Sequence, residues 1–267
     1  MEGIVAISWW DLSLFCTTLS IPLAINRYFQ LGLGKEAGIS IIRMVVQLVL
    51  IGFYLEYLFH LNNVIVNTAW VILMILIGSS AILSKSSLPK RPLFLPVCLG
   101  LTVGLGPLMI LLCLVIIQPT PLYSAQFVIP IAGMLLGNSL SGNIVALQNF
   151  FTSLNERKSE YEAAISLGAH PYYASSGFIR SAMQKSLAPI MASMATTGLV
   201  TLPGMMTGQI LGGASPMVAI KYQLMIMIAI FVMMSISITL TLQLCLRQTF
   251  TQQGRIKIQF IHKQDQN

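Results

Sequence analysis

The sequence predicts an all-α, polytopic membrane protein of about seven transmembrane helices, on three observations. Of its 267 residues 55% are hydrophobic and only 9% charged, with a mean hydropathy of +0.80, a composition outside the range of soluble domains. Several apolar runs reach the roughly 20 residues that a helix needs to cross a hydrocarbon core about 30 Å thick. The runs lack the alternation of barrel strands, and lipid offers no partner for an unpaired amide, so helices remain as the spanning structure.

The runs cover approximately 8–26, 38–59, 65–84, 93–117, 124–150, 188–212 and 216–246. The first begins near Trp9 and Trp10, placed as an interfacial aromatic anchor. No basic stretch precedes it and no small-residue cleavage signal follows its apolar core, so it is expected to stay as a span. The second carries Arg43 near one end, Gln47 a turn further on, and Glu56 with His60 four residues later near the other end. Ionisable groups at membrane depth are functional candidates, although Arg43 can snorkel to the interface. Glu56 and His60 read either as an interfacial pair or as an exit site for a cation. Cys98 and Cys113 of the fourth run, like Cys16 and Cys245, lack CxxC spacing and read as small packing residues.

The fifth and sixth runs are rich in small residues. Gly133, Gly137 and Ser141 recur every four residues in one, and Gly204, Gly208 and Gly212 in the other. Such stripes serve close helix packing, within or between protomers, or line a pathway; both readings stand. Leu202-Pro203-Gly204 interrupts the sixth run, a break tolerated at membrane depth where it faces protein or water. Beside the glycines lie Met134, Asn138, Met205, Met206 and Gln209, with Met191, Met194 and Met217 nearby. Methionines there are either flexible packing or a transient coordination path. Thioethers suit soft ions such as Cu(I), whereas Fe(II) more often takes imidazole or carboxylate. No Asp or Glu occurs between 163 and 246, so these residues do not name a substrate.

The formal charge of +7 follows membrane sidedness and not a nucleic-acid surface. Seven spans put Arg27, Lys35, Arg43, Lys85, Lys90, Arg91, Arg157, Lys158, Arg180, Lys185, Arg247, Arg255, Lys257 and Lys263 on one face, leaving only Lys221 on the other. The positive-inside rule then places the N-terminus outside and the C-terminus in the cytoplasm. Connections near 60–64, 118–123 and 213–215 carry no Lys or Arg, as external loops should.

One cytoplasmic connection, 151–187, is long enough for structure of its own. Ser159-Glu160-Tyr161-Glu162 fits a capping box and predicts a helix start. Tyr161, Ala164, Ile165 and Gly168 recur at helical spacing, Gly168 is placed to end the helix, and Pro171 suits the first turn of a second helix over 172–187. The short helix reads as a surface helix or as a docking knob for a partner.

Glu162-Ala163-Ala164 followed by Gly168 resembles the EAA-xxx-G loop of ABC transporter permeases. VIPIAGMLLGN at 128–138, SLGAHPYYA at 166–174 and TGLVTLPGMMTGQILGGASPMVAIKYQ at 197–223 resemble the FetB-like permeases, with IIRMVVQLVLIG at 41–52 a weaker fourth block. That family is associated with bacterial iron export, and its plant relatives with aluminium tolerance and nucleotide-sugar transport. The resemblance implies one transmembrane domain over 1–267 in the inner membrane, acting as a homodimer. It further implies a cytosolic ABC ATPase that receives Glu162, Ala163, Ala164 and Gly168, with His170 and Pro171 in the adjoining block, and that binds ATP and Mg itself.

No ATP-binding motif is expected in this chain. QLGLGKEAG at 30–38 lacks the G-xxxx-GK[ST] spacing, and Glu36 stands where a Mg-binding hydroxyl belongs. Intramembrane proteolysis would need two converging carboxylates, yet only Asp11 and Glu56 are available; His60, His170 and His262 do not form HExxH. A passive channel would not need a docking helix. The resemblance to the FetB-like permeases implies, as the expected function, ATP-driven export of iron or a related metal. The alternatives are a permease for a nucleotide sugar or other small solute, and a scaffold recruiting a cytosolic protein.

Overall fold

The computed structural model describes residues 7–251 and Arg255; Lys257, His262 and Lys263 of the basic tail, and residues 1–6 ahead of the first run, lie outside the described residues. Among the described residues the chain is helical throughout, without a strand. The helices are α1 (Trp9–Cys16), α2 (Ser20–Tyr28), α3 (Gly34–Leu61), α4 (Val64–Lys85), α5 (Lys90–Leu111), α6 (Ala125–Glu156), α7 (Lys158–Ser166), α8 (Pro171–Thr196), α9 (Gly204–Leu211) and α10 (Pro216–Thr249). A 3-10 turn, Thr17–Leu19, joins α1 to α2, and a π-helical stretch, Leu112–Ile117, prolongs α5.

Five of these described helices are long and apolar enough to cross a membrane: α3, α4, α5 with its extension, α6 and α10. They coincide with the second, third, fourth, fifth and seventh predicted runs. The other two expected spans are not continuous helices. The first run divides at the 3-10 turn, where the hydroxyls of Thr17 and Thr18 bond back to Leu14 and Phe15 carbonyls. The sixth run is cut more deeply than Pro203 alone suggested. Helix α8 ends at Thr196, and the chain turns through Gly198 (φ +89°), with Gly198 N–H returning to Thr201 O at 2.9 Å. Only then does α9 begin, with Pro203 as its N-cap. Threonines at 196, 197 and 201 and a left-handed glycine make a turn where a continuous helix was expected.

Helix α10 is the centre of the bundle and packs on α5, α6, α8 and α9. Leu93, Val97, Leu101 and Leu105 of α5, Leu135, Leu147 and Phe150 of α6, and Met233, Ile238 and Leu242 of α10 are buried in one core. In lipid an apolar side chain gains little by leaving the hydrocarbon, so association depends on close packing and interhelical hydrogen bonds. Both are present. A Cβ on Gly100 would collide with Thr241 Oγ1 and lie 2.9 Å from Ser237 O; one on Gly104 would lie 3.2 Å from Met233 O. These two glycines, four residues apart on α5, let α10 approach backbone to backbone. On α6, Ser139 Oγ and Ser237 Oγ lie 2.7 Å apart, and Asn143 Nδ2 donates to Ser139 O (2.8 Å) and Ser237 Oγ (3.0 Å).

Helix α3 is the exception to this packing: its most apolar stretch is uncovered along its length. Its start meets α2, where Leu33 N–H donates to Asn26 Oδ1 at 2.9 Å, and its buried contact with the rest of the bundle is at the other end. There Leu58 packs with Ala125 and Ile129, the Tyr54 and Trp70 rings lie 4.4 Å apart, and Asn62 Oδ1 accepts from Ala125 N–H.

Candidate functional site

The 151–187 segment is more helical than a loop. Helix α6 runs on to Glu156, and after one non-helical residue, Arg157, α7 begins at Lys158. This corrects the predicted capping box. Ser159 lies inside the helix, Arg157 is the N-cap, and no side chain caps the first turn. The continuous run of α6 leaves no extended residue before Ser159 that could turn its hydroxyl onto the third amide. The first-turn charges pair instead along the surface. Arg157 Nε donates to Glu160 Oε1 at 2.9 Å, its Nη2 meets Oε2, and Lys158 Nζ lies 3.5 Å from Glu162 Oε1. The hydrogen bonds from Arg157 hold the Glu160 carboxyl below its ordinary value. The Arg157 guanidinium also sits 5.3 Å from the Phe178 ring centre, tying the α6–α7 joint to α8.

The end of α7 follows its residue chemistry closely. Gly168 adopts φ +88°, its N–H bonds to Ile165 O (2.9 Å), and Ala169 N–H bonds to Ala164 O (3.0 Å), the paired bonds of a Schellman stop. Two residues on, His170 is the N-cap of α8: its Nδ1 accepts from Tyr172 N–H at 3.3 Å, and Pro171 takes the first helical position. Glu162, Ala163, Ala164, Gly168, His170 and Pro171 therefore form one short helix, its stop, and the restart.

This element is anchored on one side and open on the other. Tyr161 is 1% exposed and stacks on Phe250, just past α10, with ring centres 4.9 Å apart and planes 16° apart. Burial pushes its phenol up to about 12. Leu167, at the far end of α7, is 89% exposed. Beside the joint, His170, Pro171 and Tyr172 face Gln243, Leu246, Arg247 and Phe250 across a cavity of about 560 Å³.

The second group of predicted residues is dispersed. On α6, a methyl added to Gly133 would meet only Met74 Cε (3.4 Å), one on Gly137 would meet nothing within 4 Å, and Asn138 is exposed, its Nδ2 turned back to Met134 O. Met134 packs against the core. On α9, Gly204 and Gly208 also face open space, and Gly212 is the C-cap, close only to its own helix. The glycine stripes of 133–141 and 204–212 thus do not pack helices tightly within this protomer. Met205 reaches the core, Met206 is half-buried, and Gln209 Oε1 is buried without a hydrogen-bond donor, as is Gln223 Oε1 on α10. Glu56 and His60 stand apart, at the opposite end of the bundle from α7, and line a common cavity. Among the described residues no three His, Cys, Asp or Glu side chains converge as a metal site.

Sequence reasoning passed over Gly100, Gly104, Ser139, Asn143 and Ser237. A signal for the first two was present in GLTVG at 100–104, a small-xxx-small pair on the fourth run. Phe250 carried no local signal for its contact with Tyr161.

Fold and composition together define a multi-pass α-helical membrane protein. Residues 9–250 match the family described as Uncharacterised protein family (UPF0014), and the chain belongs to that family. It is 34% identical over 216 residues to the UPF0014 membrane protein YjkA of Bacillus subtilis, covering 81% of this chain and 85% of the relative. It is 32% identical over 216 residues to a protein of Escherichia coli named probable iron export permease protein FetB, covering 81% and 82%. It is likewise 32% identical over 217 residues to Protein ALUMINUM SENSITIVE 3 of Arabidopsis thaliana, covering 80% and 76%. No solved structure gives a significant match.

Proposed function

We propose that this chain is the membrane-spanning permease subunit of an ATP-driven ABC transporter that exports iron or a related metal. It works as a homodimer with two copies of a separate cytosolic ATPase, which supplies ATP and Mg binding. Its basic face is cytoplasmic, with the N-terminus outside. The observation that carries this reading is α7: a nine-residue helix stopped by Gly168, anchored through Tyr161 on one side and presenting Glu162, Ala163 and Leu167 outward on the other. A helix held in that way can accept a push from a partner and pass it to α6 and α8, to which it is joined at both ends. The relative named as an iron export permease supports the choice of cargo.

The test is reconstitution with the cognate ATPase and measurement of ATP-dependent metal flux. Gly168→Val forces a β-branched residue into the left-handed region, a cost of about 1–2 kcal/mol at the helix stop. It is expected to depress transport-coupled ATP hydrolysis while leaving membrane insertion intact. Unchanged coupling in this variant would sink the role given to α7. A scaffold that only recruits a cytosolic protein would bind the same face of α7 without any ATP-dependent flux.

A further inference from the structure

The end of the bundle opposite α7 contains a cavity of about 440 Å³ between the last turn of α3, the 118–124 connection and the start of α6. Glu56 and His60 line it, together with Thr120, Ser124 and Gln126. No Lys or Arg does, so the carboxylate of Glu56 is its one formal charge. Residues four apart on a helix share a face, a spacing at which two side chains can hold one metal ion. The two residues do not spend their ligand atoms on each other or elsewhere. Among the described residues the ion pairs are Arg157–Glu160 and Lys158–Glu162, and neither Glu56 nor His60 makes a side-chain hydrogen bond. The simple interfacial pair open from the sequence is therefore not formed.

The wall around them is built. Helix α3, uncovered elsewhere, is fastened at this end by Leu58 against Ala125 and Ile129 and by Asn62 Oδ1 on Ala125 N–H at 3.1 Å. Helix α4 is stitched to the same connection, with Asn67 Nδ2 donating to Tyr123 O at 2.8 Å. The carboxylate and imidazole are thus presented, both exposed, on the part of α3 that is fastened to α4 and α6.

From this the geometry points to a cation site at the exit end, in which Glu56 and His60 together bind a divalent first-row transition metal. The inference rests on the transporter reading above and deepens it by assigning the cargo a site at the exit end. One carboxylate and one imidazole suit Fe(II), Co(II) or Zn(II) better than the thioethers of Met205 and Met206, which favour soft ions. With only neutral oxygens of Thr120, Ser124 and Gln126 to add, the site holds the ion weakly enough to release it. A nucleotide sugar is disfavoured here, because its diphosphate would meet Glu56 with no basic side chain to offset the repulsion.

The test uses the full chain alone in lipid nanodiscs, without a polyhistidine tag, titrated with Co(II) and followed by its visible absorption. Saturable binding is expected, with E56Q and H60A each weakening it by about tenfold or more. E36Q, which removes a carboxylate at the other end of the same helix, should bind as the parent does. Parent-like Co(II) affinity in E56Q and H60A overturns the site, as does absence of Co(II) binding by the parent chain. Rescue of binding in H60C, which restores a metal-ligating side chain, separates ligation from a merely structural loss; failure of that rescue counts against the site. The ATPase is absent from the assay, so the two readings fail separately. ATP-driven flux without Co(II) binding removes the site alone, whereas Co(II) binding without flux removes the transporter reading.

Discussion

Tyr161 is the one buried residue of α7, and its ring stacks on Phe250 beyond α10. An offset aromatic stack contributes about 0.5–1.5 kcal/mol beyond area burial, and truncating a buried aromatic costs roughly 3–5 kcal/mol. Tyr161→Ala is therefore expected to undock α7 from Phe250, read as faster amide exchange over 158–166, while Tyr161→Phe keeps the stack. Comparable exchange in the two variants would refute the anchor. The pH response has a definite sign. Burial favours the neutral phenol, raising its value from 10.0 to about 12, so docking is at full strength below pH 10 and weakens as pH rises from 10 to 12. Tyr161→Phe should lose that alkaline dependence, which amide exchange at pH 9 and 11 would measure. At this scale the sequence was informative wherever a residue acts on its own backbone. The stop at Gly168 and the restart at Pro171 follow from a left-handed glycine and a ring-locked φ. The Tyr161–Phe250 stack joins positions 89 apart by their numbering, a distance that no local rule spans.

Between elements, the tightest seam is α5 against α10. Gly100→Val would drive a side chain into Thr241 Oγ1 and Ser237 O, and overpacking of that kind costs about 1–3 kcal/mol. The same change at Gly137, where nothing lies within 4 Å, should leave the thermal stability of the detergent-solubilised protomer unaltered. If both variants melted alike, the assignment of close packing to Gly100 would be wrong. Asn143→Ala removes the donor to Ser139 and Ser237; interhelical hydrogen bonds in membranes average about 0.6 kcal/mol and reach about 1.7 kcal/mol, so a small but resolvable loss is expected. These contrasts explain why helix existence was legible and helix partnership was not. Apolar length predicts a span whatever it faces, but a glycine stripe looks the same whether it meets a neighbour, as at 100 and 104, or open space, as at 204 and 208. The sixth run is not a single continuous helix for a related reason. Its hydropathy carries on across residues 197–203, where the hydroxyl-bearing Thr196 and Thr197 bond to Ser193 O and the chain turns instead of continuing.

For the whole molecule, the distribution of basic residues predicts which end faces the cytoplasm. In a background lacking Cys16, Cys98, Cys113 and Cys245, Thr120→Cys should react with an impermeant thiol reagent in right-side-out vesicles, and Ser166→Cys only after lysis. The reverse pattern would invert the proposed orientation and, with it, the docking of any cytosolic ATPase. The charge pattern was legible because it is written along the chain. The unpartnered length of α3 was not, since a helix facing lipid or a second copy carries the same apolar sequence as one inside the bundle.

The placement of α10 has a consequence for biosynthesis. Among the membrane-crossing helices described, it is the last to leave the ribosome, yet Ser237 supplies a hydrogen-bond partner to Ser139 and Asn143, and its backbone fills the notch at Gly100 and Gly104. Until it arrives, α5 and α6 sit in the bilayer with polar groups turned toward lipid and a groove along one flank. Closure of that groove therefore waits for the last of these helices, and the core is expected to reach its packed form only after α10 has been inserted.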